Sequence, residues 1–214
     1  MKVAERVQKR SARLRDVEIS LWFRLLGVLP LAFFLGQAIH YWRIDQLGHM
    51  LWMCNIGNLL LAIGIFLGQP ILIRVAVIWS IPGIVIWFRY VVMVWGVFAA
   101  STSVHVGGLI VGLLALRKVG VDRAAWRYAF AWYLILQLLS RLVTPAELNV
   151  NVAHHMYQGW EQVFSAYWKF WLVMTLLVAG ALWLLSFGLR KVWPQDRGPG
   201  KSEKIRVLGD TQSP

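Results

Sequence analysis

Apolar runs dominate the chain and set its elements. Between Glu18 and Arg43 the only charge is Arg24, and residues 25–39 form a first predicted span that Arg24 can extend by reaching to the headgroups. It starts late and lacks an Ala-x-Ala cleavage pattern, so a retained anchor is expected, kinked at Pro30. No formal charge falls between Asp45 and Arg74, and residues 47–67 make a second span that carries His49, Cys54, Asn55 and Asn58. Gln69-Pro70 closes it, and residues 71–88 form a third span, interrupted at Pro82-Gly83. Residues 90–100 are apolar but supply about half of the ~20 positions a crossing needs, so they are expected to dip into the outer face. A fourth span opens at Ser101-Thr102-Ser103 and runs to Leu116 through Gly107, Gly108 and Gly112, whose small surfaces allow close helix approach. Residues 124–143 form the fifth span and residues 166–189 the sixth, separated by Thr144-Pro145 and a long connection.

Within that connection Val152, Ala153, Met156, Tyr157, Trp160, Val163 and Phe164 recur at helical spacing, with His154, His155, Gln158, Glu161 and Gln162 opposite. The pattern predicts an outer interfacial helix, capped by Asn149 or Asn151. The domain reading is a basic cytoplasmic segment over 1–18, a six-span membrane domain over 19–190 and a disordered cytoplasmic tail over 191–214. No internal repeat is present.

Composition turns these runs into a class. Hydrophobic residues make up 58% of the 214 positions and charged residues 15%, too few to coat a water-soluble globule. The expected fold is an all-α integral membrane protein, a bundle of about six transmembrane helices. A net charge of +12 could suggest nucleic acid, but the basic residues sit beside apolar runs rather than forming a groove-binding face. Membrane lipids are the expected partners, with Lys2 to Arg15 drawn to anionic headgroups. With both termini cytoplasmic, the basic residues before span one, Arg74, the group Arg117, Lys118, Arg123 and Arg127, and those from Arg190 onward all fall inside. Arg43, Arg89, Arg141 and Lys169 fall outside, as the positive-inside rule requires for a bacterial inner-membrane protein. Many of the 13 tryptophans, among them Trp22, Trp42, Trp160 and Trp168, lie near span ends as an interfacial belt.

Candidate chemistry clusters on the outer side. His40, His49, His105, His154 and His155 all lie there, and His49, Cys54, Asn55, Asn58, His105 and Arg141 are candidates to converge, because polar groups in hydrocarbon usually face a bundle interior. The single cysteine excludes an internal disulfide. In a continuous helix His49 lies about 140° around and about 7.5 Å along from Cys54, a poor direct base, whereas His105 can reach the thiol across a helix interface. His154, His155 and Glu161 lack any metal-ligand spacing, and His49 with His105 gives only one haem-type pair, so neither metal nor cofactor is expected.

The string Gly48-His49-Met50-Leu51-Trp52-Met53-Cys54, the Pro-Gly-bearing third span, Ser103-Val104-His105-Val106-Gly107, and Asn149-Val150-Asn151 after the fifth span follow an order that resembles the YwaF-like integral membrane proteins. That family is similar to a eukaryotic membrane acyltransferase that makes ether phospholipids. The resemblance implies a six-span bundle and Cys- and His-dependent acyl transfer. The leading hypothesis is then a lipid acyltransferase or related lipid-modifying enzyme with Cys54 as nucleophile, His105 as base, and His49, Asn55 or Asn58 orienting the acyl group or its oxyanion; Asn55, Asn58, Arg141, Asn149 and Asn151 are the candidate substrate contacts. The runner-up is a non-catalytic membrane subunit, bound to another membrane protein, or a small-solute transporter.

Overall fold

The computed structural model describes residues 20–94 and 98–195. Among these the chain is helical, without β-strands. Six helices make up the bundle: α1 (Leu21–Arg43), α2 (Met53–Leu67), α3 (Pro70–Val94), α4 (Ala99–Val119), α5 (Ala125–Val143) and α6 (Tyr167–Val192). Four of them, α1, α3, α4 and α6, are long and apolar enough to cross a membrane. Fifteen residues make α2 about 22 Å long, short of a hydrocarbon core of about 30 Å. Length is no obstacle for α5, but Arg127, Gln137, Ser140 and Arg141 dilute its apolar character.

Pro30 acts where expected. Its ring has no N–H for the carbonyl of Leu26, and α1 breaks into a turn at Leu26 and Gly27 before resuming at Val28. Pro82 does not interrupt α3, which stays helical through Pro82-Gly83. Nor do residues 90–94 dip back. They extend α3 past Arg89 to Val94, because an unbroken apolar helix satisfies its own backbone where a re-entrant segment would not; residues 95–97 lie outside the described set.

The core sits around the first half of α3. Residues 73–79 are buried on every side, enclosed by α2, α4, α5 and α6, and Trp79 Nε1 donates to Ala129 O at 3.2 Å. The outer half of the same helix projects from the bundle, with Val85, Ile86, Phe88 and Met93 exposed. Together with the exposed leucines of α5 and α6 they form an apolar perimeter that water would not tolerate.

One end of the bundle is tied by Arg74. Its guanidinium is buried, pairs with Asp122 Oδ2 at 2.6 Å, and donates to Gly120 O at 2.8 Å and Val119 O at 3.1 Å, closing the open carbonyls at the end of α4. Gly120 has φ +61, and a Cβ there would lie 2.7 Å from the backbone of Gln195. That crowding arises because Val121 pairs with the chain after α6, donating to Trp193 O at 2.8 Å and accepting from Gln195 N at 3.3 Å. Residues 191–195 therefore belong to the bundle, which corrects the expected tail boundary; the rest of the expected tail and the expected basic segment lie outside the described residues. Lys118 rests over the Phe23 ring and Arg24 donates to Phe66 O at 2.9 Å, so the start of α1 and the end of α2 share this end.

The outer interfacial helix is not formed. Only 3-10 turns occur, at Ala146–Leu148, Val150–Val152 and Trp160–Gln162. Asn149, Asn151, Val152 and Gly159 all have positive φ, and Asn149 Oδ1 takes the N–H groups of His154 and His155 at 3.0 and 3.2 Å. Carboxamides that bind backbone compete with the helical ladder, and here they win.

Candidate functional site

The predicted second span is not one helix. A 3-10 turn over Leu47–Leu51 ends at Trp52, whose ψ of 136° is extended, and α2 begins at Met53. Cys54 is thus the second residue of a helix, not a mid-helix residue as a continuous span would have it. Asparagines hold the break. Asn55 Nδ2 donates to His49 O at 2.9 Å, and Asn151, from the outer connection, accepts from Met53 N at 3.2 Å. The half-buried Cys54 sulfur lies at the start of α2, with Asn55 Oδ1 4.0 Å away, a loose contact.

Opposite it, α4 winds as a π turn over Ser103–Gly107, centred on His105. His105 Nδ1 lies 2.8 Å from Ser101 O. A carbonyl can only accept, so Nδ1 carries the proton and Nε2 is the basic nitrogen. The imidazole stacks on Trp87 with ring centroids 5.6 Å apart, and Trp87 Nε1 donates to Ser101 Oγ at 3.1 Å. Trp87 lies one turn beyond Gly83, the residue of α3 that faces Cys54.

Asn58 joins the two sides. Its Nδ2 donates to Cys54 O and to Val104 O, each at 2.9 Å, so the carbonyl of the cysteine and that of the residue before His105 flank one amide. The other amide atom, Oδ1, is buried without a donor and presses on Gly108, where a Cβ would lie only 2.5 Å away. Asn58 therefore ties the backbone of α2 at Cys54 to that of α4 beside His105, at the junction of α2, α3 and α4, and among the described residues no direct hydrogen bond joins the two side chains.

His49 stands in the turn that precedes α2. Its Nδ1 accepts from Trp52 Nε1 at 3.0 Å, and its ring packs 5.2 Å from that of Tyr41. Burial holds its imidazolium below the ordinary histidine range. The Tyr41 phenol neighbours Cys54 and Gln37, and Gln37 Oε1 is buried with no donor.

The remaining candidates serve the outer connection. Arg141 Nη1 donates to Ala153 O at 2.8 Å, with its guanidinium 5.5 Å over the Tyr167 ring. Asn149 Nδ2 donates to His155 O at 2.9 Å, and Thr144 Oγ1 lies 3.3 Å from His154 Nε2. Asn151 is buried and spends both amide protons on Leu51 O and Ser140 Oγ, at 2.8 and 2.9 Å. These side chains bind protein backbone rather than lining the junction at Cys54. Among the described residues no three His, Cys, Asp or Glu side chains are grouped to hold a metal. Gln37, Tyr41, Trp87 and Ser101 were not singled out from sequence; only Ser101, one helical turn before His105, had a spacing that could have pointed to it.

Comparison of the chain with protein-family models, with curated proteins and with solved structures returns no match.

Proposed function

We propose that this chain is a six-span protein of a bacterial inner membrane, both termini cytoplasmic, that transfers acyl groups of membrane lipids at a Cys54/His105 site in the outer half of the bundle. The observation that carries the reading is the placement of Cys54 at the start of α2, with Asn58 tying its carbonyl to the residue before His105. His105 Nε2 takes the thiol proton, and the sulfur attacks the carbonyl carbon of a lipid ester. The carbon–oxygen bond breaks, the departing alkoxide receives that proton, and a thioester remains on Cys54. An acceptor hydroxyl then attacks the thioester, passing its proton to His105 and returning the sulfur. Backbone N–H groups at the start of α2 supply positive charge for the oxyanion. The order of motifs along the chain, which resembles that of the YwaF-like proteins, points the same way.

The second reading is a solute-binding or transport protein, favoured by Gln37 Oε1 and Asn58 Oδ1, two buried acceptors without donors. Purified protein incubated with a labelled phospholipid separates the two. A hydroxylamine-sensitive acyl adduct is expected on the wild-type chain and none on Cys54→Ala, while His105→Ala slows turnover by about 10²–10⁴. Lipid turnover by Cys54→Ala at the wild-type rate would transfer the assignment to binding or transport.

A further inference from the structure

The carboxamide of Asn151 spans the break at which α2 starts. Its Oδ1 accepts from Met53 N at 3.2 Å and its Nδ2 donates to Leu51 O at 2.8 Å, the backbone groups on either side of Trp52. A continuous helix would pair the Met53 N–H with the carbonyl of His49, four residues back. That carbonyl is already taken by Trp52 N at 3.1 Å and Asn55 Nδ2 at 2.9 Å. Asn151 is anchored in turn by α5, through Ser140 Oγ and through Gln137 Nε2, which donates to the Asn151 carbonyl at 2.5 Å. Its φ of +54 is a conformation asparagine tolerates, but Val152 beside it has φ +59, a strained value for a β-branched residue. Such strain persists only where the surroundings over-determine it. Here they do: Tyr167 donates to Val152 O at 2.9 Å, and Val152 N donates to Asn149 O at 2.9 Å.

We propose that Asn151 is a positioning residue for Cys54: its carboxamide keeps the start of α2 separate from the preceding turn, so that Cys54 stays the second residue of a helix rather than a mid-helix residue. The inference rests on the acyl-transfer reading for its purpose. A carboxamide accepts from Met53 N and donates to Leu51 O through its two ends at once, and a residue without a side-chain donor or acceptor makes neither bond.

Cys54 is the one cysteine of the chain, so its chemistry can be read without interference. Full-length protein in detergent is treated with a small methanethiosulfonate across a pH series. Asn151→Gly removes the carboxamide while accepting the positive φ, and should retain wild-type helicity by circular dichroism. Modification of Cys54 is expected to slow about fivefold at pH 8, with the pH–rate profile moved to higher pH. Ser140→Ala, which removes one anchor of the amide, should shift the profile the same way by less. Glu161→Gln, in the same connection but bonded only to Gly159, should leave it unchanged. Superimposable profiles for wild type and Asn151→Gly, reactive or unreactive alike, would overturn the positioning role. A shifted profile in protein that turns over no lipid would uphold it and overturn acyl transfer instead.

Discussion

His49 can accept the Trp52 indole N–H only while its Nδ1 is unprotonated, and burial also favours the neutral ring. Its folded-state value is depressed, so the stability it contributes is whole above the ordinary histidine value of about 6.5 and is lost as pH falls below it. Melting temperature in detergent should therefore drop between about pH 7 and pH 5, and His49→Gln, which keeps an acceptor but does not titrate there, should flatten that slope. Equal slopes would remove His49 from the acid response. From sequence Cys54 and His105 stood out as polar residues at one depth of an apolar chain, and the structure ties their backbones through Asn58 with no hydrogen bond between the two side chains. The start of α2 was not, since Asn151 makes it from 98 residues away and hydrophobic periodicity carries no trace of such a partner.

At the scale of elements, apolar run length located the helices well and their breaks poorly. The kink near Pro30 was legible because a missing N–H is a local fact. The 152–164 pattern misled: helical spacing of apolar residues says nothing about asparagines that take the backbone for themselves. Arg89 misled differently, since an exposed arginine inside an apolar helix suggests an end where α3 in fact continues. The glycines of α4 did carry their meaning, for Gly107, Gly108 and Gly112 each sit within side-chain contact of another helix. Gly108→Ala forces a methyl against Asn58 Oδ1, so it should destabilise the bundle by about 1–3 kcal/mol and weaken the link between Cys54 and His105. Thermal unfolding in detergent measures the first effect. Gly36→Ala, where nothing lies within 4 Å, is the comparison, and equal melting temperatures for the two variants would show that α4 has room to give.

Among the described residues, basic side chains gather at one end of the bundle. The end tied by Arg74 also carries Arg24, Arg117, Lys118, Arg190 and Lys191, whereas Arg43, Arg89, Arg141 and Lys169 lie toward the other. If the basic end is cytoplasmic, His155→Cys in a Cys54→Ala background should react with an impermeant thiol reagent added to intact cells. Labelling only after the cells are opened would invert the topology. The Arg74–Asp122 pair also orders assembly in time. Arg74 enters the growing chain 48 residues ahead of its carboxylate, which at ribosomal rates is about 2–10 s. Throughout that interval the α2–α3 hairpin holds a guanidinium whose acceptors have not been made, so it must wait at the lipid headgroups. Packing against α2 covers one side of residues 73–79 before then, and Arg74 gains its partners only when Val119, Gly120 and Asp122 emerge. The bundle is thereby closed from its fourth helix backward, and a ribosome stalled before residue 119 would display the hairpin at the membrane surface, open to protease at the turn around Gly68.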